Sequence, residues 1–204
     1  MLTRSPALSR AEEKRENLRA KVLEAALALF AERGYHGTSI PSVMEEAGVG
    51  AGSLYRLFES KEALVNAVFR EQKRKLERAL REDLDLTLAP RALFNAFWQR
   101  LAAFARAEPT ALRFLELQDH VPYLDGESRA LELTVLAPIL LACVQMQERG
   151  VLQATMRPDT MIAFVWGAFV GLVKAERLSY LTLDDATVTS ARDACWRALA
   201  RPKH

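Results

Sequence analysis

The side chains best suited to chemistry in this sequence are hydroxyl and cationic groups in two neighbouring segments. One segment is residues 38–39, just after a turn rich in glycine, and the other is residues 51–61. Hydroxyl and ammonium groups bind phosphate oxygens, and small residues let the backbone approach a ligand closely. This mixture fits contact with a nucleic-acid backbone and with base edges. The candidate contact residues of the second segment are Ala51, Gly52, Ser53, Tyr55 and Arg56.

Patterns typical of catalysis or metal binding are missing from the sequence. The histidines, at positions 36, 120 and 204, have no ligand spacing, and Cys143 and Cys195 lie far apart without a CxxC pair. There is no glycine-rich phosphate loop, nucleophile elbow or HExxH helix. We therefore expect no catalytic residue, no metal and no cofactor. A small helical enzyme is kept only as a less favoured alternative.

Charge and hydropathy limit the class of protein further. The net charge is +2, and residues 1–61 hold nine Lys or Arg against eight Asp or Glu, so any basic surface must arise from arrangement. The first 16 residues lack the apolar core of an export signal, so we expect a cytoplasmic protein. The longest apolar run, residues 161–173, is shorter than the roughly 20 residues of a membrane span. We expect it to be a buried helix.

The spacing of apolar residues predicts helices almost everywhere, so the fold class is all-α. The predicted N-terminal helices run over about residues 15–32, from a cap at Ser39 (or Thr38) to Gly48, over about 51–58, and from Lys61 to about 81. A further helix is predicted to begin at Pro90. Later helices are predicted over about residues 109–119, 128–149 (with a kink or break at Pro138), 158–178 and 184–200. The predicted organisation is a flexible tail (1–14), a three-helix DNA-binding domain (15–61), a connecting helix (62–84) and a helical ligand-binding and dimerisation bundle (85–204).

Two short helices joined by a tight turn at Gly48 predict a helix-turn-helix motif. Leu54 and Phe58 lie one helical turn apart and can face Phe30 and Val43, which would hold the second short helix against its neighbours. The opposite face of that helix would then present residues 51–56 to DNA. Few of these side chains are polar, so sequence preference would depend on Ser53, Arg56, apolar contact and DNA shape.

The segment from residue 22 to residue 64 closely resembles the DNA-binding domain of the TetR family of repressors. The resemblance implies that Tyr55 and Lys61 hold backbone phosphates, that Thr38 and Ser39 bond a phosphate at the second helix, and that residues 51–53 approach bases. Ser39 could instead be only a helix cap. The matching positions are Ala26, Phe30, Gly34, Tyr35, Thr38, Ser39, Ala47, Gly48, Val49, Gly52, Leu54, Tyr55, Phe58, Lys61 and Leu64.

The C-terminal part predicts an apolar ligand site between helices, although most of its aromatic residues could equally be plain core. His120 could equally be a surface or capping residue. The candidate ligand-binding residues are Phe97, Trp98, Phe114, Gln118, His120 and Trp166.

Small residues recur along the helix that holds the apolar run, at Ala163, Gly167, Gly171 and Ala175. We expect this seam, together with the last helix, to form a four-helix dimer interface of the sort that the TetR family uses. A central helix of a monomer is the alternative.

The function expected from these features is a DNA-binding transcription regulator, most simply a repressor that a small, largely apolar effector releases from its operator. Its expected partners are operator double-stranded DNA, a second copy of the chain and that effector, with no membrane. An activator or a ligand-independent regulator is the alternative.

Overall fold

The computed structural model describes residues 9–117 and 119–202. Within these ranges the chain is all-α, as expected, apart from one isolated antiparallel bridge between Leu152 and Ala200. The helices are α1 (Arg10–Gly37), α2 (Ile40–Ala47), α3 (Ala51–Tyr55), α4 (Lys61–Arg81), α5 (Pro90–Ala107), α6 (Pro109–Leu117), α7 (Gly126–Glu148), α8 (Pro158–Arg177) and α9 (Asp185–Leu199).

Helix α1 begins at Arg10, earlier than the predicted start near residue 15. A capping box at Ser9 explains the difference: the Ser9 hydroxyl accepts a hydrogen bond from the Glu12 amide, and the Glu12 carboxylate accepts one from the Ser9 amide at 2.7 Å. Residues 10–14 of the predicted flexible tail are therefore helical. The helix is interrupted at Gly34 (φ 70°, ψ 177°), the residue predicted to end it.

Helix α4 joins the two halves of the molecule and packs against α1, α5, α6 and α7. It starts where predicted, because the Ser60 hydroxyl accepts a hydrogen bond from the Ala63 amide. Its inner face is fully buried at Leu64, Val68 and Leu76. Apolar contacts of this helix thus reach both the N-terminal helices and the C-terminal bundle.

Helices α7 and α8 leave long apolar faces uncovered. Each contains an 18-residue stretch apolar enough to cross a membrane, with mean hydropathy 1.6 and 1.2, and little of either stretch is buried. Leu141 on α7 is 57% exposed and Phe164 on α8 is 44% exposed. The expectation of a buried helix at residues 161–173 is wrong for the single chain.

Helix α7 also continues through Pro138 without the break that the proline allowed.

Candidate DNA-binding interface and effector region

The turn between α2 and α3 has the geometry of a helix-turn-helix. Gly48 ends α2 in the left-handed conformation (φ 64°, ψ 38°), which costs a residue without a Cβ little energy. Its amide donates to the carbonyls of Met44 and Glu45, and the Val49 amide donates to Met44 as well, at 3.0 Å. The chain therefore reverses tightly and leads directly into α3.

The two faces of α3 differ as the sequence predicts. Leu54 is fully buried and Phe58, just beyond the helix, is 6% exposed, and both belong to one core cluster with Phe30 and Val43. On the other side Tyr55 is 55% exposed, and Ala51, Gly52 and Arg56 are exposed too. Ser53 is half-buried, and its hydroxyl accepts a hydrogen bond from Arg56 at 3.2 Å. The structure thus brings the predicted base-reading residues onto one accessible surface.

The neighbouring hydroxyls of Thr38 and Ser39 have different environments. Thr38 is only 2% exposed, and its hydroxyl donates to the Gly34 carbonyl at 2.9 Å, so it closes the turn between α1 and α2. This side chain does not reach the surface of the single chain, so Thr38 is not one of the exposed residues of the candidate interface. Ser39 is exposed and caps α2 by accepting a hydrogen bond from the Ser42 amide at 3.2 Å. Capping leaves the Ser39 oxygen at the surface, so both interpretations of this residue stay open.

Lys61 lies at the start of α4 with its ammonium 4.1 Å from the centre of the Tyr35 ring. The Tyr35 hydroxyl donates to the Glu62 carboxylate in a short hydrogen bond. Burial, and then this hydrogen bond, raise the pKa of Tyr35 to about 12, and the same bond lowers the pKa of Glu62. Lys61 is therefore held at the start of α4 by its aromatic neighbour, and its phosphate contact stays a prediction.

The same tyrosine connects the N-terminal domain to the loop between α6 and α7. The rings of Tyr35 and Tyr123 stack at 4.4 Å. Asn66, on α4, is buried and binds this loop from below: its amide donates to the Tyr123 carbonyl at 2.8 Å, and its oxygen accepts from the Asp125 amide at 2.9 Å. The loop, called the 119–125 loop below, therefore contacts both α1 and α4.

Two of the predicted ligand-binding residues are packed into the core of the single chain. Trp98 is fully buried and its ring nitrogen donates to the Val188 carbonyl at 3.0 Å. Phe114 packs between Phe30 and His120 at the junction with α1. Both residues are core, which was the alternative interpretation. Phe97 is partly buried against the same core, and Gln118 lies outside the described residues.

His120 is a structural residue of the 119–125 loop. It is 6% exposed, one ring nitrogen contacts the Phe114 carbonyl at 2.5 Å, and the other contacts the Tyr123 hydroxyl at 2.8 Å. Since a carbonyl only accepts, Nε2 carries the proton and Nδ1 accepts from the tyrosine. Burial lowers the pKa of His120, in keeping with a neutral ring. Both nitrogens are engaged, so the predicted ligand contact of His120 is not supported.

A polar cluster that the sequence did not reveal lies between α4, α6, α7 and α8. Trp166 donates to the Glu116 carboxylate at 2.6 Å, and Lys73, 7% exposed, lies 3.3 Å from Glu132. Burial raises the pKa of Glu116, while Lys73 and the Trp166 hydrogen bond act in the opposite direction. The two residues of each of these hydrogen-bonded pairs lie 50 or more positions apart in the sequence, so no local sequence pattern could identify them.

The predicted small-residue seam is open to solvent. Ala163, Gly167 and Gly171 are exposed and Ala175 is half-buried. A Cβ added at Gly167 or Gly171 would meet no atom within 4 Å, so packing within this chain does not require either glycine. The last helix, α9, instead turns its apolar residues Val188, Cys195 and Leu199 inward. The large exposed apolar side chains adjoining the seam belong to α7 and α8, and the pairing of the seam with the last helix stays a prediction.

Comparison with protein families gives the class of the molecule. Residues 22–68 match the model of the bacterial regulatory proteins of the tetR family, and residues 69–201 match the tetracyclin repressor-like C-terminal domain. The chain belongs to the TetR family and is a DNA-binding transcription regulator, as the resemblance implied. The proteins that it matches are transcription regulators, not enzymes.

Individual relatives support the same assignment. The HTH-type transcriptional repressor KstR2 of Mycolicibacterium smegmatis is 28% identical over 158 residues, which are 72% of each chain. The HTH-type transcriptional regulator RutR of Escherichia coli K12 is 40% identical over 82 residues, covering 40% of this chain and 34% of that protein. A TetR family transcription regulator from Marinobacter aquaeolei superposes with a TM-score of 0.84 at 21% identity, over 94% of this chain and 100% of its own.

Proposed function

We propose that the protein is a dimeric repressor that binds operator DNA through α3 and leaves it when a small effector binds the C-terminal domain. The observation that carries the proposal is the two-faced α3, with Leu54 fully buried and Tyr55 more than half exposed. A helix held in this way from one side can enter a major groove with the other. The name of the KstR2 relative, a transcriptional repressor, supports repression over activation.

The exposed α7–α8 face supports pairing with a second copy of this chain. It combines Leu133, Leu140 and Leu141 on α7 with Phe164 and the open glycines on α8. Large apolar patches of this kind mark association surfaces, and small residues let two helices approach closely. A two-fold dimer would also present two α3 helices to two half-sites. We therefore assign the seam to an α7–α8 interface.

The polar cluster around Glu116 supports an effector that is largely apolar with one polar end. The Glu116 carboxylate is largely desolvated, which raises its pKa, so a polar ligand group that hydrogen-bonds to it would be bound favourably. Trp166 stays in the candidate ligand set, and Glu116 and Lys73 join it. An effector here would lie against α4, which continues to the DNA-binding helices.

Selection of bound fragments from the source genome, followed by titration of the selected duplex, tests the proposed function. We expect Tyr55→Ala to weaken binding by at least tenfold, because it removes an exposed contact without touching the core. Tyr180→Ala is the matched control: Tyr180 is also an exposed tyrosine, 78%, but lies beyond α8. Equal affinity of the two variants would contradict the assignment of α3 as the DNA-reading helix.

A further inference from the structure

An open groove of about 750 Å³ runs between the first turns of α1 and the recognition helix α3. Its α1 side presents Lys14, Arg15 and Lys21, and its α3 side presents Arg56 and Ser53. The remaining lining residues are Ala11, Asn17, Leu18 and Leu57. None of the residues that line the groove is acidic.

The charges of α1 are separated by the helical repeat. At 3.6 residues per turn, Lys14 and Lys21 lie within about 20° of each other around the helix axis, whereas Glu12 and Glu16 lie roughly 160° from Lys14. The nearly equal numbers of acids and bases in residues 1–61 thus conceal a basic face. The predicted flexible tail, residues 1–14, places Lys14 outside any helix, so the sequence prediction did not include this basic face.

The cations in the groove form no ion pairs with carboxylates of the described residues. Among the described residues, neither Lys14, Lys21 nor Arg56 forms an ion pair with a carboxylate; Arg19, on another face of α1, pairs with Glu71 at 3.7 Å. Lys14 and Lys21 are exposed. Clustered like charges repel each other, so an anionic partner would stabilise this arrangement.

We propose that this groove binds the sugar-phosphate backbone next to the half-site that α3 reads, so that the first turns of α1 extend the DNA contact beyond the major groove. The inference rests on the proposed function, because Ser53 and Arg56 line both surfaces. A duplex that receives α3 in its major groove presents a backbone strand along the side of that helix, where the groove lies. Cations on one wall would contact its phosphates, and Leu18 and Leu57 would lie against its sugars.

The salt dependence of DNA binding tests this proposal. The double variant Lys14→Ala/Lys21→Ala is compared with the control Arg149→Ala/Arg197→Ala, which removes the same charge from exposed positions in the C-terminal domain. Each phosphate contact contributes about 0.9 to the slope of log affinity against log salt concentration. With two residues in each of two protomers, we expect the slope to become shallower by about 3 to 4, and Lys14→Arg/Lys21→Arg to restore it.

The probes are the selected operator fragment and a 40-base-pair duplex of mixed sequence (about four helical turns). Shortening the operator fragment at its outer ends should weaken the wild type and leave the double Ala variant unchanged. A slope for the double Ala variant equal to that of the control would overturn the groove assignment, provided that Tyr55→Ala still lowers affinity. If Tyr55→Ala also had no effect, the proposed function itself would fail, and the groove contact with it.

Discussion

At the scale of single residues, several side chains that look suited to binding are used inside the fold. Thr38 bonds the Gly34 carbonyl, and His120 bonds Phe114 and Tyr123, so both side chains are buried in the single chain. The exposure of Tyr55 could be predicted from the sequence, because the inner positions of α3 follow from helical spacing alone. The sequence could not show that Thr38 is buried, since that depends on the break at Gly34.

Lys61→Ala should weaken binding to every DNA sequence and lower the salt slope by about 0.9 for each protomer. The Tyr35 ring holds the ammonium of Lys61 in place, and we expect affinity to fall because the variant lacks the phosphate contact of that ammonium. Lys61→Arg keeps the charge and should keep most of the slope. A salt titration of both variants checks this, and an unchanged slope in Lys61→Ala would contradict the phosphate contact.

His120 should make the folded protein less stable in mild acid. Burial lowers its pKa below the ordinary value of 6.5, so below about pH 6.5 the unfolded chain takes up a proton that the folded chain does not. Stability therefore falls as the pH decreases through this window. Lys73 also lowers this pKa, while the bond to Phe114 and the carboxylates of Glu132 and Asp119 raise it.

Calorimetric melting at pH 7.5 and 5.5 measures the effect. The wild type should lose more stability between the two pH values than His120→Gln, while a variant of the exposed His36, His36→Gln, should behave like the wild type. Other titratable groups also change the stability between these pH values; Glu116, whose pKa is raised, should stabilise the fold as the pH falls. These contributions are the same in all three proteins. An equal loss in His120→Gln and wild type would show that His120 is not a buried neutral ring.

At the scale of helices and loops, several helix boundaries were predictable, although the start of α1 was not, and the contacts between elements were not predictable. Pro90 and Pro158 start α5 and α8, and Ser60 and Gly48 act as caps, all of which are local signals. The bonds that join α4 to the 119–125 loop connect residues 57 or more positions apart. Such pairs depend on the whole packing, so single-sequence patterns contain no sign of them.

Asn66→Ala should destabilise the protein strongly, because Asn66 satisfies the Tyr123 carbonyl and the Asp125 amide of the 119–125 loop. Each buried group left without a partner costs about 1–3 kcal/mol, and each kcal/mol lowers the melting temperature of a chain of this size by about 2–4 °C. Both groups are only part-buried, so each falls at the low end of that range, about 1 kcal/mol, and we expect a total decrease of roughly 4–8 °C by thermal unfolding. Asn17→Ala, at an exposed position, is the control; a similar melting temperature for both variants would contradict this role of Asn66.

Helices α7 and α8 should hold the dimer together. Gly171→Phe and Leu141→Glu should each shift the protein towards monomer in sedimentation velocity at micromolar concentration, since both residues are exposed in the single chain. Ala194→Glu places the same charge on an exposed position of α9 and should leave the dimer intact. Dissociation by Ala194→Glu alone would return the interface to α9. A monomeric wild type, or one that binds lipid vesicles through α7 and α8, would overturn the interface altogether.

At the scale of the whole molecule, α4 and the 119–125 loop connect the effector region to the DNA-reading helices. Lys73 lies on α4 two turns from Asn66, and Tyr123 stacks on Tyr35 of α1, so we propose that a shift around Glu116 reaches the N-terminal helices through these contacts. A coupling of about 1–3 kcal/mol would change operator affinity by roughly 5- to 150-fold. Thermodynamic linkage requires operator DNA to weaken effector binding by the same factor.

Calorimetry with an effector found by thermal-shift screening tests that reciprocity. The effector should bind the free protein more tightly than the operator complex, by the same factor with which it weakens operator binding. Glu116→Gln should alter effector affinity while leaving operator affinity in the absence of effector unchanged. Equal effector affinities with and without operator would leave the C-terminal domain with dimerisation alone.

A hydroxyl-radical footprint of the selected operator tests whether two copies of α3 bind it together. We expect two protected regions on one face of the duplex, with centres one helical turn, roughly 34 to 36 Å, or a multiple of that apart. Tyr55→Ala should remove both regions at the same protein concentration, and Tyr180→Ala should remove neither. A single protected region, or two regions that persist in Tyr55→Ala, would contradict binding by two copies of α3.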